Sequence, residues 1–232
     1  MAKYDGKTIS SRESHRPVLH LPELLPMDLF IARQLSRVSA LVILTFLIAG
    51  LFYKDGFLFW KHALSELGGS ATRSGEANAV SRVIVTTGFI LMAFIMGKVG
   101  FHYHSHPAIL HNLLKSKLAL ISSVGFFVFN MPHDRFKWVH VTGSVMMIAG
   151  IFLISTITLA EMRGLLPGWR HRFYQILLSG TVIPYAVGFL LNVGFKQVLQ
   201  KFCIAGLSFV LTQISGMGAK LSGETMDINQ SK

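Results

Sequence analysis

Apolar runs alternate along the chain with short polar, mostly basic segments. Six runs stand out, at 38–53, 83–103, 118–132, 138–160, 173–195 and 202–219. A helical crossing of a bilayer takes about 20 mostly apolar residues, so the last three read directly as spans. The first two are short and need snorkelling flanks: Arg37 and Lys54 bracket the first, and Lys98 lies near the end of the second. The third spans only if its helix starts further back, near Leu113, with Lys115 and Lys117 reaching the headgroups; the topology's parity depends on it. The pattern predicts an all-α polytopic membrane protein, a six-transmembrane-helix bundle over 37–219. A basic arm (1–36) precedes it and a flexible polar tail (220–232) follows.

Composition agrees: 51% hydrophobic and 14% charged residues exclude an ordinary soluble domain. The net charge of +11 would suggest nucleic acid in a soluble protein, but here the basic residues are scattered between apolar runs, so membrane lipids are the expected counterions and nucleic acid is not. Lys3, Lys7, Arg12, Arg16, Arg33 and Arg37 all precede the first run, which argues for a retained anchor rather than a cleaved signal. Lys and Arg divide 14 to 8 between alternate segments in favour of the N-terminal side, which predicts cytoplasmic termini. Trp60, Trp138 and Trp169 fall at predicted span ends, where interfacial aromatics belong. The single cysteine, Cys203, excludes an intrachain disulfide framework and any cysteine-built metal centre.

Between the first two spans, Asp55-Gly56 and Gly68-Gly69 bound a stretch in which Phe59, Trp60, Ala63, Leu64 and Leu67 alternate at helical spacing with Lys61, His62, Ser65 and Glu66. This predicts a short amphipathic interfacial helix, with His62 and Glu66 neighbours on its polar face and Ser65 beside them. In the loop before the fourth span, Asp134 is placed to cap the helix, and His140 sits about one turn into an apolar segment, where an ionisable group points to function by default. A straight helix would separate His133 from His140 by roughly 10 Å, so they share an ion only if 132–134 folds back.

Gathered on one face, Ser65, Glu66 and Asp134 would supply a nucleophile and orienting carboxylates, and His62, His133 and His140 the ligands of a metal, zinc being the ion that set would suit. On the opposite face His102, His104, His106 and His111 crowd one loop. They are read as an exposed loop in preference to a transition-metal site, and a haem shared with His171 is disfavoured because paired histidines inside facing spans are missing. In the fifth span Gly180, Pro184, Gly188 and Asn192, each four apart, form a stripe that either permits close helix approach or lines a ligand pocket beside His140. Segment 20–26, bounded by prolines, would form an amphipathic turn at the surface.

The Ser65-Glu66-Leu67-Gly68 stretch after the first span, with Asn78 beyond it and with Pro132, Asp134 and His140 around the start of the fourth, resembles a prokaryotic six-span family known as domain of unknown function 998. In outline the chain is also similar to eukaryotic six-span proteins that modulate autophagy or remodel lipid anchors. The resemblance covers 38–219 in topology and implies fold and membrane location, not an activity. Binding or handling of a lipid or other amphiphile at an outward-facing polar site is the expected function. The alternatives are a metal-assisted lipid or amide hydrolase and an accessory subunit joined to other membrane subunits.

Overall fold

The computed structural model describes residues 26–230, with side chains as far as Lys220; the arm residues 1–25 and the proline-bounded turn predicted at 20–26 lie essentially outside the described residues. Six α-helices follow in order: α1 (Leu29–Leu51), α2 (Ala79–Ser105), α3 (Asn112–Phe129), α4 (Lys137–Glu161), α5 (Gly168–Leu190) and α6 (Lys196–Gln230). All six contain a stretch long and apolar enough to cross a membrane. In a bilayer the backbone must satisfy its own hydrogen bonds, and a continuous helix does this.

The uncertain third span begins at Asn112, as the crossing required, and parity is kept. Lys115 does not snorkel, however, but is fully buried. α1 starts earlier than its apolar run because the Asp28 carboxylate accepts from the Ile31 amide (2.9 Å) and caps it, so the bundle begins inside the segment assigned to the arm. α5 ends at Leu190, short of its run, where Asn192 takes a positive φ of 55°. α6 continues past 219 to Gln230.

In the packing, α3 lies closely between α2 and α4, and α1 between α2 and α6. α5 is peripheral, set mainly against α6 with a smaller contact to α4. Glycines make the α3–α4 approach possible: a Cβ on Gly125 would stand 2.5 Å from the Met147 amide nitrogen, and one on Gly143 would stand 2.5 Å from that of Phe129. Trp138 and Trp169 remain exposed in the first turns of α4 and α5, with Lys137 and Arg170 over their rings, while exposed Trp60 lies within the α1–α2 loop, nine residues past α1. Two faces result. One carries the long α1–α2 loop with the α3–α4 and α5–α6 turns; the other, the histidine face, carries the start of α1 with the α2–α3 and α4–α5 connections.

Candidate functional site

The α1–α2 loop is a folded cap. A short helix does follow the first span, but as a five-residue 3-10 turn, Leu64–Gly68, preceded by turns, in place of the longer amphipathic helix. The reason is local capping. Glu66 Oε1 accepts from the Ala63 amide (2.9 Å), closing the turn on itself, and Arg73 grips the same carboxylate with Nε (2.8 Å) and Nη2 (2.6 Å). Buried Asn78 donates through Nδ2 to the carbonyls of Glu66, Leu67 and Gly69, and the Ser81 hydroxyl adds a bond to Leu67. From α6, Lys201 donates to the His62 carbonyl (2.6 Å) with its ammonium over the Phe57 and Phe59 rings, while Gln200 accepts from the Leu64 amide.

This network sets where the expected catalytic residues sit. His62 lies against the Tyr53 and Phe57 rings and its Nδ1 accepts from the Leu58 amide (3.2 Å), and it makes no hydrogen bond to Glu66 among the described residues. The half-buried Ser65 hydroxyl makes no hydrogen bond among the described residues. Asp134 does not cap α4, whose N-cap is Phe136; it accepts from the amide (3.0 Å) and hydroxyl of Ser70 and pins the first loop to the second.

Burial disfavours the charged form of Glu66, but the hydrogen bonds from Arg73 and Ala63 and the guanidinium charge outweigh it, and its pKa lies below the ordinary value. For Asp134 burial is likewise overcome, here by the two bonds from Ser70, and its pKa too is lowered. Carboxylates with depressed folded values stabilise fully above their ordinary range, about pH 4, and lose that contribution as pH falls through the folded value. Hydrogen-exchange protection of the loop amides from 63 to 78, corrected for intrinsic rates, should therefore hold at neutral pH and fall below about pH 4. Glu66→Gln should weaken protection at neutral pH and flatten that step; equal protection in both proteins at all pH values would remove Glu66 from this role.

The second loop does fold back. The Pro132 carbonyl accepts from the Arg135 and Phe136 amides, and the turn brings the His133 and His140 rings to 5.9 Å between centroids. His140 donates from Nδ1 to the Met131 carbonyl (2.9 Å) and stacks near Phe129. Its buried Nε2, with Nδ1 of His133 and the Oδ1 atoms of Asn78 and Asn130, has no protein partner. Gly69 seats this corner, since a Cβ there would stand 3.0 Å from His133 Cε1. His62 does not join these two in a three-ligand group; among the described residues such a group occurs only on the histidine face.

The α5 stripe does not line one pocket. Gly180 and Pro184 are exposed, Gly188 is buried against Leu199 of α6, and Asn192 is exposed in the turn, accepting from Lys196. The bundle centre between α1, α2, α3, α4 and α6 holds a cavity of about 20 Å³, lined by Phe46, Phe89, Phe126, Ile151 and Leu207 among others. That is room for about one water and none for a lipid chain. A larger space, about 340 Å³, is the open groove between α4 and α5, lined by Thr156, Leu159, Gln175, Ile176, Leu178 and Ser179.

Sequence reasoning passed over Arg73 and Lys201 on the loop face and the pairing of Lys115 with Glu161 on the histidine face. On the histidine face the ammonium of fully buried Lys115 donates to Glu161 Oε2 (2.5 Å) and the Pro26 carbonyl (2.7 Å), and His111 takes the other Glu161 oxygen at 2.8 Å. His171, for which a shared haem is disfavoured on sequence, is buried and donates from Nε2 to the Leu159 carbonyl. The signal for Lys115 and Glu161 was present, a lysine and a glutamate at the edges of two apolar runs, but nothing in the spacing pairs residues 46 positions apart.

Bundle and loops together define a multi-pass integral membrane protein, with six membrane-crossing helices among the described residues. No protein-family model, no curated protein and no solved structure matches the chain, so the likeness to family 998 rests on its short motifs alone.

Proposed function

We propose that this protein binds an anionic phospholipid, without covalent chemistry, in the lateral groove between α4 and α5. The observation that carries the reading is the groove itself. At about 340 Å³ it falls within the roughly 300–1,000 Å³ of small-molecule sites, and it sets apolar Leu159, Ile176 and Leu178 beside polar Thr156, Gln175 and Ser179. Helical spacing continues the α5 wall toward the histidine face into Arg172, which precedes Gln175 and Ile176 by three and four, and Arg163 lies two residues beyond the end of α4 at that same face. Both arginines are exposed and neither forms an ion pair among the described residues. A chain lying along the groove would present its phosphate to these guanidinium groups. With the N-terminus cytoplasmic, as the 14-to-8 distribution of Lys and Arg favours, this is the leaflet where anionic lipids concentrate.

The polar loop face supports binding over hydrolysis, because Glu66 is held by Arg73 and Asp134 by Ser70, so that among the described residues neither carboxylate is hydrogen-bonded to a histidine. The test is native mass spectrometry of the full chain, with an anionic and a zwitterionic phospholipid of identical acyl chains offered together. Retention of the anionic lipid is expected, reduced several-fold by joint Arg163→Gln and Arg172→Gln and abolished by Ser179→Phe, which fills the groove. Equal retention of both lipids, unchanged by Ser179→Phe, would overturn the reading.

A further inference from the structure

We propose that Asp28, His102 and His106 form a binding site for a divalent transition-metal ion, zinc being the best match, where α1 begins and α2 ends. Their ligand atoms lie within 4.8 Å of one another, the only such group of three among the described residues. Each is already oriented. Asp28 uses one oxygen to cap α1 through the Ile31 amide and turns the other toward His102 Nε2, 2.5 Å away. His102 is held between the Phe30 ring (4.4 Å) and the His106 ring (3.7 Å between centroids). His106 donates from Nδ1 to the His102 carbonyl (2.8 Å), which fixes its tautomer and leaves the lone pair on Nε2. A ring N–H bonded to a backbone carbonyl is the usual outer support of a histidine ligand.

The helix cap and the Asp28–His102 pair would account for two of the three residues. They do not account for His106, which makes no hydrogen bond to Asp28 yet is drawn face to face onto His102 by the four-residue spacing. Two imidazoles and one carboxylate are a ligand set that suits zinc. Bonds of about 2.0–2.1 Å set tetrahedral ligands roughly 3.4 Å apart, so the group closes by a modest turn of exposed His106. On binding, the ion takes the place of the proton between His102 Nε2 and Asp28, and the neutral imidazole then carries its one N–H on Nδ1, with no net loss of a proton from the ring. The other histidines of this region are not part of the group: His104 is exposed and outside it, and His111 is engaged with Glu161. The ion would clamp the start of α1 to the end of α2, a consequence independent of lipid in the α4–α5 groove.

The experiment is zinc titration of the full chain in detergent, carrying no histidine tag, read by bound metal per chain and by the melting temperature. One zinc per chain and a rise in Tm are expected. His106→Ala and Asp28→Asn, the latter keeping the helix cap, should each weaken binding at least tenfold, while His104→Ala leaves it unchanged. Both ligand variants are checked for wild-type elution and metal-free Tm, and their lipid retention should be normal. No zinc bound at ten micromolar free metal, retention in His106→Ala, or equal loss in His104→Ala would overturn the proposal.

Discussion

Replacing Glu161 with alanine should destabilise the bundle by about 3–5 kcal/mol, the usual penalty for stranding one member of a buried ion pair. Lys115 is fully buried and the Glu161 side chain only 5% exposed, so the ammonium left behind would keep the Pro26 carbonyl and the Tyr103 ring 5.6 Å away, but no counter-charge. Coulomb attraction is strong in such surroundings because water is excluded, and the same exclusion makes an unpaired charge costly. The pair also ties the segment before α1 and the α2–α3 turn to the end of α4, through Pro26 and His111, so its loss should loosen the whole histidine face. Reversible denaturant unfolding in mixed micelles measures this. Combining Lys115→Met with Glu161→Gln should recover much of the loss, since an uncharged pair carries no stranded ion. A change below about 1 kcal/mol for Glu161→Ala, the range of surface pairs, would show that the interaction is solvated.

The second large effect is expected at the α3–α4 seam. Gly143→Val should cost at least about 1–3 kcal/mol, the range for overpacked cores, because the new Cβ meets backbone and not a side chain that can rotate away. It would lie 2.5 Å from the Phe129 nitrogen and 2.9 Å from the Phe129 Cα and the Val128 carbonyl carbon. Only a separation of the helices relieves this, and Gly125 faces the same seam with the Met147 nitrogen at 2.5 Å. Gly180 on α5 is the contrast, as a Cβ there meets nothing within 4 Å. Gly180→Ala should therefore stabilise by roughly 0.5–1 kcal/mol through the lower flexibility of the unfolded chain. Melting temperatures of the two variants in one detergent decide the matter: a lowered value for Gly143→Val and a raised one for Gly180→Ala are expected, and the reverse order would refute the packing account.

The two glycines show where a sequence pattern stops being informative. Gly143 and Gly180 are both glycines in apolar helices, and the regular spacing belongs to Gly180, yet the tight contact belongs to Gly143. Spacing places residues on one face of a helix; it does not say which face meets a neighbour. The spacing of Gly180, Pro184, Gly188 and Asn192 leaves both close helix approach and a pocket wall open, and in the bundle only Gly188 is buried, against Leu199 of α6. The polar loop face fared similarly. His62, Ser65, Glu66, His133 and Asp134 do lie in the loops of one face, with His140 in the first turn of α4 beside them. The expected His62–Glu66 pairing needed an α-helix, and Arg73, seven residues beyond Glu66, holds that carboxylate in a 3-10 turn instead.

The six spans were legible because the bilayer imposes a local rule: a crossing segment must be long, apolar and self-satisfied in hydrogen bonds, and each condition is a property of consecutive residues. Even the doubtful third helix obeyed it, beginning near Leu113 where the length of a crossing required. Partners of charged and polar groups follow no such rule. Asp28 meets His102 across 74 residues, Ser70 meets Asp134 across 64 and Lys201 reaches the His62 carbonyl across 139. These meetings depend on how the helices are ordered around the bundle and on which faces their glycines bring together. The chain alone determined that the described residues form six helices long and apolar enough to cross a membrane; the packing of those helices decided that Glu66 and Asp134 hold loops together, that an open groove runs between α4 and α5, and that the side chains of Asp28, His102 and His106 converge on the histidine face.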